Sequence, residues 1–321
     1  MKTIVPISKF KSGETIQGFY LCVEKHLRNT RAGELYLDIV LRDQTGQLNA
    51  KLWDNVLEYN KKFKSGDPVA IKGNVEFFLE KLQLNIKRIN KATVQNYARY
   101  GFDPALIVPT ASKDPKQMWK ELIQIIRAIK NPFIKKLTYS IYIKNKEKIL
   151  IHPASVSMNH NYRSGLLEHV LSMSKSGLSL AQSYHLDKDL ILAGVLLQDI
   201  GKLEEIDYDY ESTFTIKGNL IGNISLGHDI IQKEVKNIKK FPKDLLIKIE
   251  HIILSQQVKN ENKNFQKPAF KEALLINLIN LMDSQLNIMD KALKEDKDLG
   301  EFTSRFNYFN TPLLKDLDGT K

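Results

Sequence analysis

Hydrophobic and polar residues alternate one by one along the first part of the chain, from about Thr15 to Ile89. A side-chain period of two is typical of half-buried antiparallel strands. In the run 35–42, the residues predicted to face the core are Leu35, Leu37, Ile39 and Leu41. The residues predicted to face outward are Tyr36, Asp38, Val40 and Arg42. After the turn at 43–46, the same parity places Leu48, Ala50 and Leu52 inward and Lys51 and Trp53 outward.

The pattern then predicts a helix over about 55–63, a turn at 66–68 and two strands over about 69–77 and 81–89. Three strands, a helix and two strands is the order of a five-stranded OB-fold β-barrel. The segment 41–53, with the sequence LRDQTGQLNAKLW, is similar to the nucleic-acid-binding OB domains of replication proteins and certain nucleases. We therefore expect an OB-fold domain over residues 1–92.

The outward face of this barrel combines aromatic and basic side chains. Rings stack on bases at roughly 1–3 kcal/mol per base and cations follow the phosphates, so single-stranded RNA or DNA is the expected partner. The candidate nucleic-acid-binding residues are Arg28, Arg31, Tyr36, Arg42, Lys51, Trp53, Lys81 and Lys87. In the alternative interpretation, Tyr36 and Trp53 pack under the helix or against a second domain. RNA and DNA are equally compatible with this face.

Residues 93–114 show no clean period and are predicted to form a linker. Beyond them a period near 3.6 predicts an all-α domain over 115–300, followed by a polar C-terminal tail over 301–321. Asp114-Pro115 is a typical helix start. The other predicted helices are 133–143, 164–184, 187–198, 228–239, 243–258 and 270–293. The expected fold class is α+β, with a barrel domain and a helical domain.

The 321 residues carry a net charge of +11, of which the first 100 contribute 17 Lys and Arg against 10 Asp and Glu. This excess favours a phosphate-bearing partner, although a Lys-, Asn- and Ile-rich composition is also typical of AT-rich genomes. The single cysteine, Cys22, excludes a disulfide framework and a multi-cysteine zinc site. The sequence lacks an 18-residue apolar run and a signal-peptide pattern, which predicts a cytoplasmic protein with no membrane partner. It does not specify the oligomeric state.

Four motifs follow one another in the helical part: GLLEH at 165–169, LLQDIGK at 196–202, EHIILS at 250–255 and INLMD at 279–283. Together with the barrel, they resemble the YhaM-type 3′→5′ exoribonucleases, whose helical part is an HD-type metal hydrolase domain. The resemblance covers nearly the whole chain. It implies that His169 is the first metal ligand, Asp199 the metal-bridging aspartate and His251 a helix-borne histidine. It also implies that Lys202 contacts a phosphate, although a lysine there could equally cap a helix end.

Amides replace the family's histidine and aspartate residues at several positions. These are Asn159, Gln198, Asn223, Gln256, Gln257 and Asn280. Asp283 lies one helical turn beyond Asn280 and could face the same pocket. Since neutral amides are poor metal ligands, we expect either no cofactor or one weakly bound manganese or magnesium ion on His169, Asp199, His251 and Asp283.

The leading hypothesis is a single-stranded nucleic-acid-binding protein whose hydrolytic activity is lost or severely weakened. The alternative is an active metal-dependent 3′→5′ exonuclease or phosphodiesterase that uses a reduced ligand set, with Asp199 and Lys202 as catalytic residues. The sequence does not decide whether the chain is an enzyme. A third hypothesis is a protein-interaction scaffold without a nucleic-acid role.

Overall fold

The structure is a computed structural model that describes residues 5–256 and 266–315. These residues form two compact units. The first ends at Thr110 and also includes Asp209–Glu211, and the second consists of Ala111–Tyr208 and the residues from Ser212 onward.

The first unit contains a closed five-stranded barrel. Its elements are β1 (Thr15–Asn29), β2 (Leu35–Asp43), β3 (Gly46–Leu52), α1 (Val56–Asn60), β4 (Pro68–Phe78) and β5 (Lys81–Lys91). The strand order is β1-β2-β3-β5-β4, with β3 and β5 parallel and the other neighbours antiparallel. The OB fold predicted from the sequence is confirmed, and the helix lies between the third and fourth strands as expected.

The alternation of inward and outward residues in β2 and β3 is largely as predicted. Leu37, Ile39 and Leu41 are buried, as are the inward residues of β3. Leu35 differs from the prediction, because it is 39% exposed at the first position of β2. The pairing of Asn29 with Leu35 ends the contact between β1 and β2, so this leucine lies at the margin of the barrel core.

The predicted linker contributes to the packing of the first unit. It contains the short helix α2 (Val94–Tyr97), followed by Phe102, Ile107 and Val108, which are buried. These three side chains form a small apolar cluster with Phe19 and Leu21 of β1. Apolar burial therefore orders this segment although it has no regular period.

The second unit is largely helical. Its helices are α3 (Pro115–Ala128), α4 (Pro132–Lys144), α5 (Lys146–Ile149), α6 (Gly165–Ser183), α7 (Lys188–Leu197), α8 (Lys202–Glu205), α9 (Ile216–Leu220), α10 (Asn223–Val235), α11 (Lys243–Leu254) and α12 (Lys271–Glu295). A two-stranded hairpin, β6 (Ile206–Tyr208) and β7 (Ser212–Phe214), interrupts them. Helix α10 begins five residues before the predicted position 228.

Side-chain caps explain several of the helix starts. The carboxylate of Asp114 accepts the N–H of Lys116 at the start of α3, as the Asp-Pro pattern predicted. The side chain of Asn131 accepts two backbone N–H groups at the start of α4. Beyond α12, Asp296 forms an ion pair with Lys315 at 2.5 Å, so part of the predicted polar tail folds back. None of the described helices is long and apolar enough to cross a membrane.

Candidate nucleic-acid interface and candidate metal centre

The outward face of β2 and β3 carries a stacked aromatic pair. The rings of Tyr36 and Trp53 lie 4.8 Å apart at an interplanar angle of 26°. The Lys51 Nζ atom lies 5.2 Å from the centre of the Tyr36 ring and 5.7 Å from that of the Trp53 ring. Trp53 is 37% exposed. This cluster of Tyr36, Lys51 and Trp53, called the aromatic platform below, presents ring surface and a positive charge together.

The other predicted contact residues differ in whether a carboxylate already pairs with the side chain. Arg28 forms an ion pair with Asp38 at 3.1 Å, and Arg42 forms one with Glu211 at 2.8 Å. The Lys87 Nζ atom lies 3.9 Å from a carboxylate oxygen of Asp54. Arg31 and Lys81 are exposed. The paired side chains would have to exchange a carboxylate for a phosphate in order to bind nucleic acid.

The tip of the β4–β5 hairpin adds aromatic residues that the sequence analysis missed. Phe77, Phe78 and Leu79 are 64%, 54% and 80% exposed. The Lys51 Nζ atom lies 5.5 Å from the centre of the Phe78 ring, so Phe78 extends the aromatic platform. Leu79 and Glu80 have backbone φ angles of 46° and 62°, which residues other than glycine rarely adopt. Three large apolar residues before a turn were the available sequence signal.

In the second unit, Asp283 of α12 is the centre of a buried polar cluster. Its Oδ2 atom lies 2.6 Å from Nδ1 of His169 and 2.9 Å from Nε2 of His160. Ser172 donates a hydrogen bond to the other carboxylate oxygen. Burial alone would raise the pKa of Asp283, but these hydrogen bonds lower it far below its usual range. Asp283 is therefore an acceptor that fixes two imidazoles.

His160 has a further set of contacts that the sequence analysis did not predict. Its Nδ1 atom lies 2.9 Å from the Tyr162 hydroxyl, which donates to Glu168 at 2.5 Å. The backbone N–H of His160 donates to Asn287 at 2.6 Å. In the sequence, Asn159-His160 stands before an irregular segment without a helical period. The histidine itself was the signal that indicated a place in the site.

Asp199 lies on the other side of His169. The Lys202 Nζ atom is 2.8 Å from Oδ1 of Asp199, and Nε2 of His169 is 3.2 Å from Oδ2. The distance between Nε2 of His169 and Oδ2 of Asp199 is that of an ion pair, but the alignment is not that of a hydrogen bond. Neither atom has a hydrogen-bond partner among the described residues. Burial opposes both charges, yet Lys202 and His169 lower the pKa of Asp199, while the two carboxylates raise the pKa of His169. His169 and Lys202 thus balance the charges of Asp199 and Asp283.

Three of the amide residues of the second unit are linked by hydrogen bonds. Gln256 donates a hydrogen bond to the Gln198 side-chain oxygen at 2.5 Å, and Asn280 donates to Gln256 at 3.5 Å. Gln198, which is 1% exposed, also donates to the sulfur of Met173 at 3.1 Å. We call Gln198, Gln256 and Asn280 the amide chain. Each of these three side chains therefore has hydrogen-bond partners within the protein.

His251, the remaining predicted ligand, has other partners. Nε2 of His251 accepts the backbone N–H of Ala269 at 2.9 Å, and its ring packs beside Phe270. The backbone N–H of Asn223 donates to Glu205. Gln257 lies outside the described residues. Among the described residues, the group that comes close enough to hold a metal ion consists of His160, His169 and Asp283, with ligand atoms within 4.8 Å of one another.

These residues do not fit a two-metal centre. Such a centre needs several anionic or imidazole ligands that converge on each ion, whereas neutral amides stand at several of the positions, among them those of the amide chain. The polar atoms of His160 and Asp283 are already hydrogen-bonded to protein groups. The two atoms left for a single ion in this pocket are Nε2 of His169 and Oδ2 of Asp199. At that position an ion would supply Lewis-acid chemistry.

Gly201 sets the close approach of the helices next to this pocket. A Cβ atom at this position would lie 1.9 Å from the backbone oxygen of Asn223 and 2.5 Å from the backbone nitrogen of Gly227. Both contacts are far shorter than van der Waals distance and involve backbone atoms of α10. Gly201 therefore positions Lys202, the next residue, by allowing α8 to pack directly on α10.

Comparison with known proteins gives results for both units. Residues 22–92 match a family of OB-fold nucleic acid binding domains. The second OB-fold domain of replication protein A from Methanococcus maripaludis is 20% identical, with a TM-score of 0.23, and the match covers 27% of this chain and 92% of that domain.

The 3′-5′ exoribonuclease YhaM of Listeria monocytogenes serotype 4b is 32% identical over 298 residues, which cover 92% of this chain and 93% of the relative. The YhaM protein of L. monocytogenes serovar 1/2a matches with the same identity and coverage. This similarity extends across the barrel and the helical unit. The chain belongs to the family of YhaM 3′-5′ exoribonucleases.

Proposed function

We propose that this protein binds single-stranded nucleic acid through the aromatic platform of its barrel and that its helical unit does not carry out two-metal hydrolysis. The observation that carries the binding proposal is the stacked Tyr36–Trp53 pair beside Lys51, in which Trp53 is exposed and Tyr36 half-buried. Ring faces and a cation in one cluster favour unpaired bases and their phosphates over a duplex, whose bases are already stacked. The match to nucleic acid binding OB domains supports this proposal.

The amide chain supports the proposed loss of hydrolysis. Gln198, Gln256 and Asn280 offer neutral oxygens and N–H donors, which neither acidify a bound water nor neutralise phosphate charge as metal ligands must. His169 and Lys202 already supply positive charge beside Asp199 and Asp283. An arriving cation would have to displace these contacts. We therefore expect the helical unit to support the fold and not to cleave phosphodiesters.

The direct test measures metal and RNA in the same preparation. We expect elemental analysis of the purified protein to find no stoichiometric manganese, and 5′-labelled single-stranded RNA to stay intact in added manganese. The same RNA should shift on a gel, with an affinity that falls steeply between 50 and 200 mM salt.

The Asp199→Ala variant is the control for a contaminating nuclease. Stepwise shortening of RNA by the native protein that disappears in this variant would contradict the proposed loss and establish the reduced ligand set as active. RNA binding that is absent at low salt would contradict the binding proposal.

Replacing Trp53 with alanine should weaken RNA binding, because it removes one ring of the stacked pair. Stacking is worth roughly 1–3 kcal/mol per base, so we expect the dissociation constant to rise by about 5- to 150-fold. Fluorescence anisotropy with a labelled oligonucleotide measures this change. Tyr100→Ala is a matched control, since Tyr100 is also an exposed aromatic residue of the first unit, 61% exposed. An equal effect of both variants would argue against a specific platform.

A further inference from the structure

The positive charge of the helical part is concentrated in two segments that are far apart in sequence. Residues 127–148 and 233–248 together contain 13 Lys and Arg and three Asp and Glu. The rest of 101–321 contains 18 Lys and Arg and 24 Asp and Glu. A lysine-rich composition alone would raise the charge everywhere. The two segments have a net positive charge and the rest of 101–321 a net negative charge, which indicates a local basic feature.

The structure packs these two segments against each other. The rings of Phe133 at the start of α4 and Phe241 before α11 lie 5.7 Å apart. Further along α4, Ser140 and Lys144 both contact Glu234 of α10 at 2.6 Å. The two segments therefore run side by side in opposite directions. This packing brings their basic residues to one region of the second unit.

The lysines that flank the Phe133–Phe241 contact are exposed. Lys136 lies three residues after Phe133, and Lys239, Lys240 and Lys243 lie within two residues of Phe241. Since a chain reaches at most about 3.6 Å per residue, these four positions lie within about 20–25 Å of each other, which spans several phosphates of a strand. We call Lys136, Lys239, Lys240 and Lys243 the basic patch.

The lysines of the basic patch form no ion pair in the part of the chain that the structure describes. The buried carboxylate of Glu234, which lies where the two segments contact each other, pairs with Lys144 and not with the patch. Ammonium groups that are close together repel one another, and a polyanion would relieve this repulsion.

We propose that the basic patch is a second nucleic-acid-binding surface, which contacts the phosphate backbone and not the bases. This inference rests on the proposed function, because the platform makes nucleic acid the expected polyanion. Phe133 and Phe241 are partly buried against the helical core, so they leave lysine as the contacting side chain. Binding here is therefore independent of base sequence and strongly dependent on salt, whereas the platform adds stacking.

The test removes the patch from the full chain. The variant replaces Lys136, Lys239, Lys240 and Lys243 with glutamine. The matched control replaces four other exposed lysines of the same unit with glutamine. These lie on and beside α12 and are Lys267, Lys271, Lys294 and Lys297. Both changes lower the net charge by four, so they separate a local contact from a general charge effect. Circular dichroism melting checks that both variants fold.

Each variant is also made with Lys51→Gln and Trp53→Ala, which disable the platform. In that background we expect the patch variant to bind single-stranded RNA at least 10-fold more weakly than the control variant at 50 mM salt. The slope of log affinity against log salt should fall by roughly 0.7 for each lysine that contacts a phosphate.

The outcomes distinguish the two proposals. Equal RNA affinity of the patch and control variants would overturn the patch proposal, and the platform would stand if Lys51→Gln with Trp53→Ala weakens binding. Binding that depends on the patch alone would instead overturn the platform. If the patch variant loses binding to phosphatidylglycerol vesicles while its RNA affinity is unchanged, the surface is a lipid contact and the patch proposal fails.

Discussion

Replacing Asp283 with alanine should lower the free energy of unfolding by about 3–5 kcal/mol, the usual cost of breaking a buried charged network. Asp283 accepts hydrogen bonds from His160, His169 and Ser172, so its removal leaves three donors without a partner. It also removes one of the two carboxylates that balance His169 and Lys202. Urea unfolding followed by circular dichroism measures the effect.

Asp290→Ala is the matched control for this experiment. Asp290 lies on the same helix, α12, but is exposed. We expect its effect to stay within about 0.5 kcal/mol, as for surface substitutions in general. If the free energy of unfolding of Asp283→Ala falls by less than 1 kcal/mol, the central role of this carboxylate is contradicted. Other groups would then accept the hydrogen bonds of His160, His169 and Ser172.

Restoring ligands in the amide chain should create metal binding. The variant replaces Gln198 and Gln256 with histidine and Asn280 with aspartate, which exchanges neutral amides for imidazole and carboxylate groups beside His169 and Asp199. We expect stoichiometric manganese binding in the variant and none in the native protein. Bound metal should also stabilise the fold, by about 2.7 kcal/mol at 100 times the dissociation constant.

The control for this variant makes the same types of substitution at exposed positions of the helical unit. Gln124→His, Gln182→His and Asn219→Asp serve this purpose, because all three residues are exposed. Isothermal titration calorimetry with manganese compares the proteins, and thermal melts with and without metal give the stabilisation. Equal binding by the native protein and the restored variant would show that the present ligand set suffices, which would contradict the proposed loss.

The fold was largely predictable because its patterns are local. In β2, the alternation that ends at Leu41 fixes which residues enter the barrel core, and the structure confirms it. Leu35 shows the limit of the rule, since periodicity assigns a side of the strand but does not say where the strand leaves the core. Helix α10 began earlier than predicted, because residues 223–227 include Gly227 and two polar residues that weaken the apolar period.

The candidate site was predictable only in part, because its contacts join distant residues. The resemblance to the YhaM family identified His169 and Asp199 separately. Nothing in the spacing indicated that Asp283 binds His160, a residue 123 positions away in an irregular segment. The sequence also identified each amide substitution, but their mutual hydrogen bonds depend on how α7, α11 and α12 pack. Phe78 was missed because its role follows from the hairpin tip and not from the strand pattern.

The glycine of the Ile200-Gly201-Lys202 motif has a consequence for tracing activity among related chains. Because any side chain at position 201 would overlap the backbone of α10, helix packing requires glycine here whether or not the protein cleaves RNA. A motif search that scores Gly201 therefore selects for architecture. The residues aligned with Gln198 and Asn280 are the ones that should sort nucleases from binding proteins.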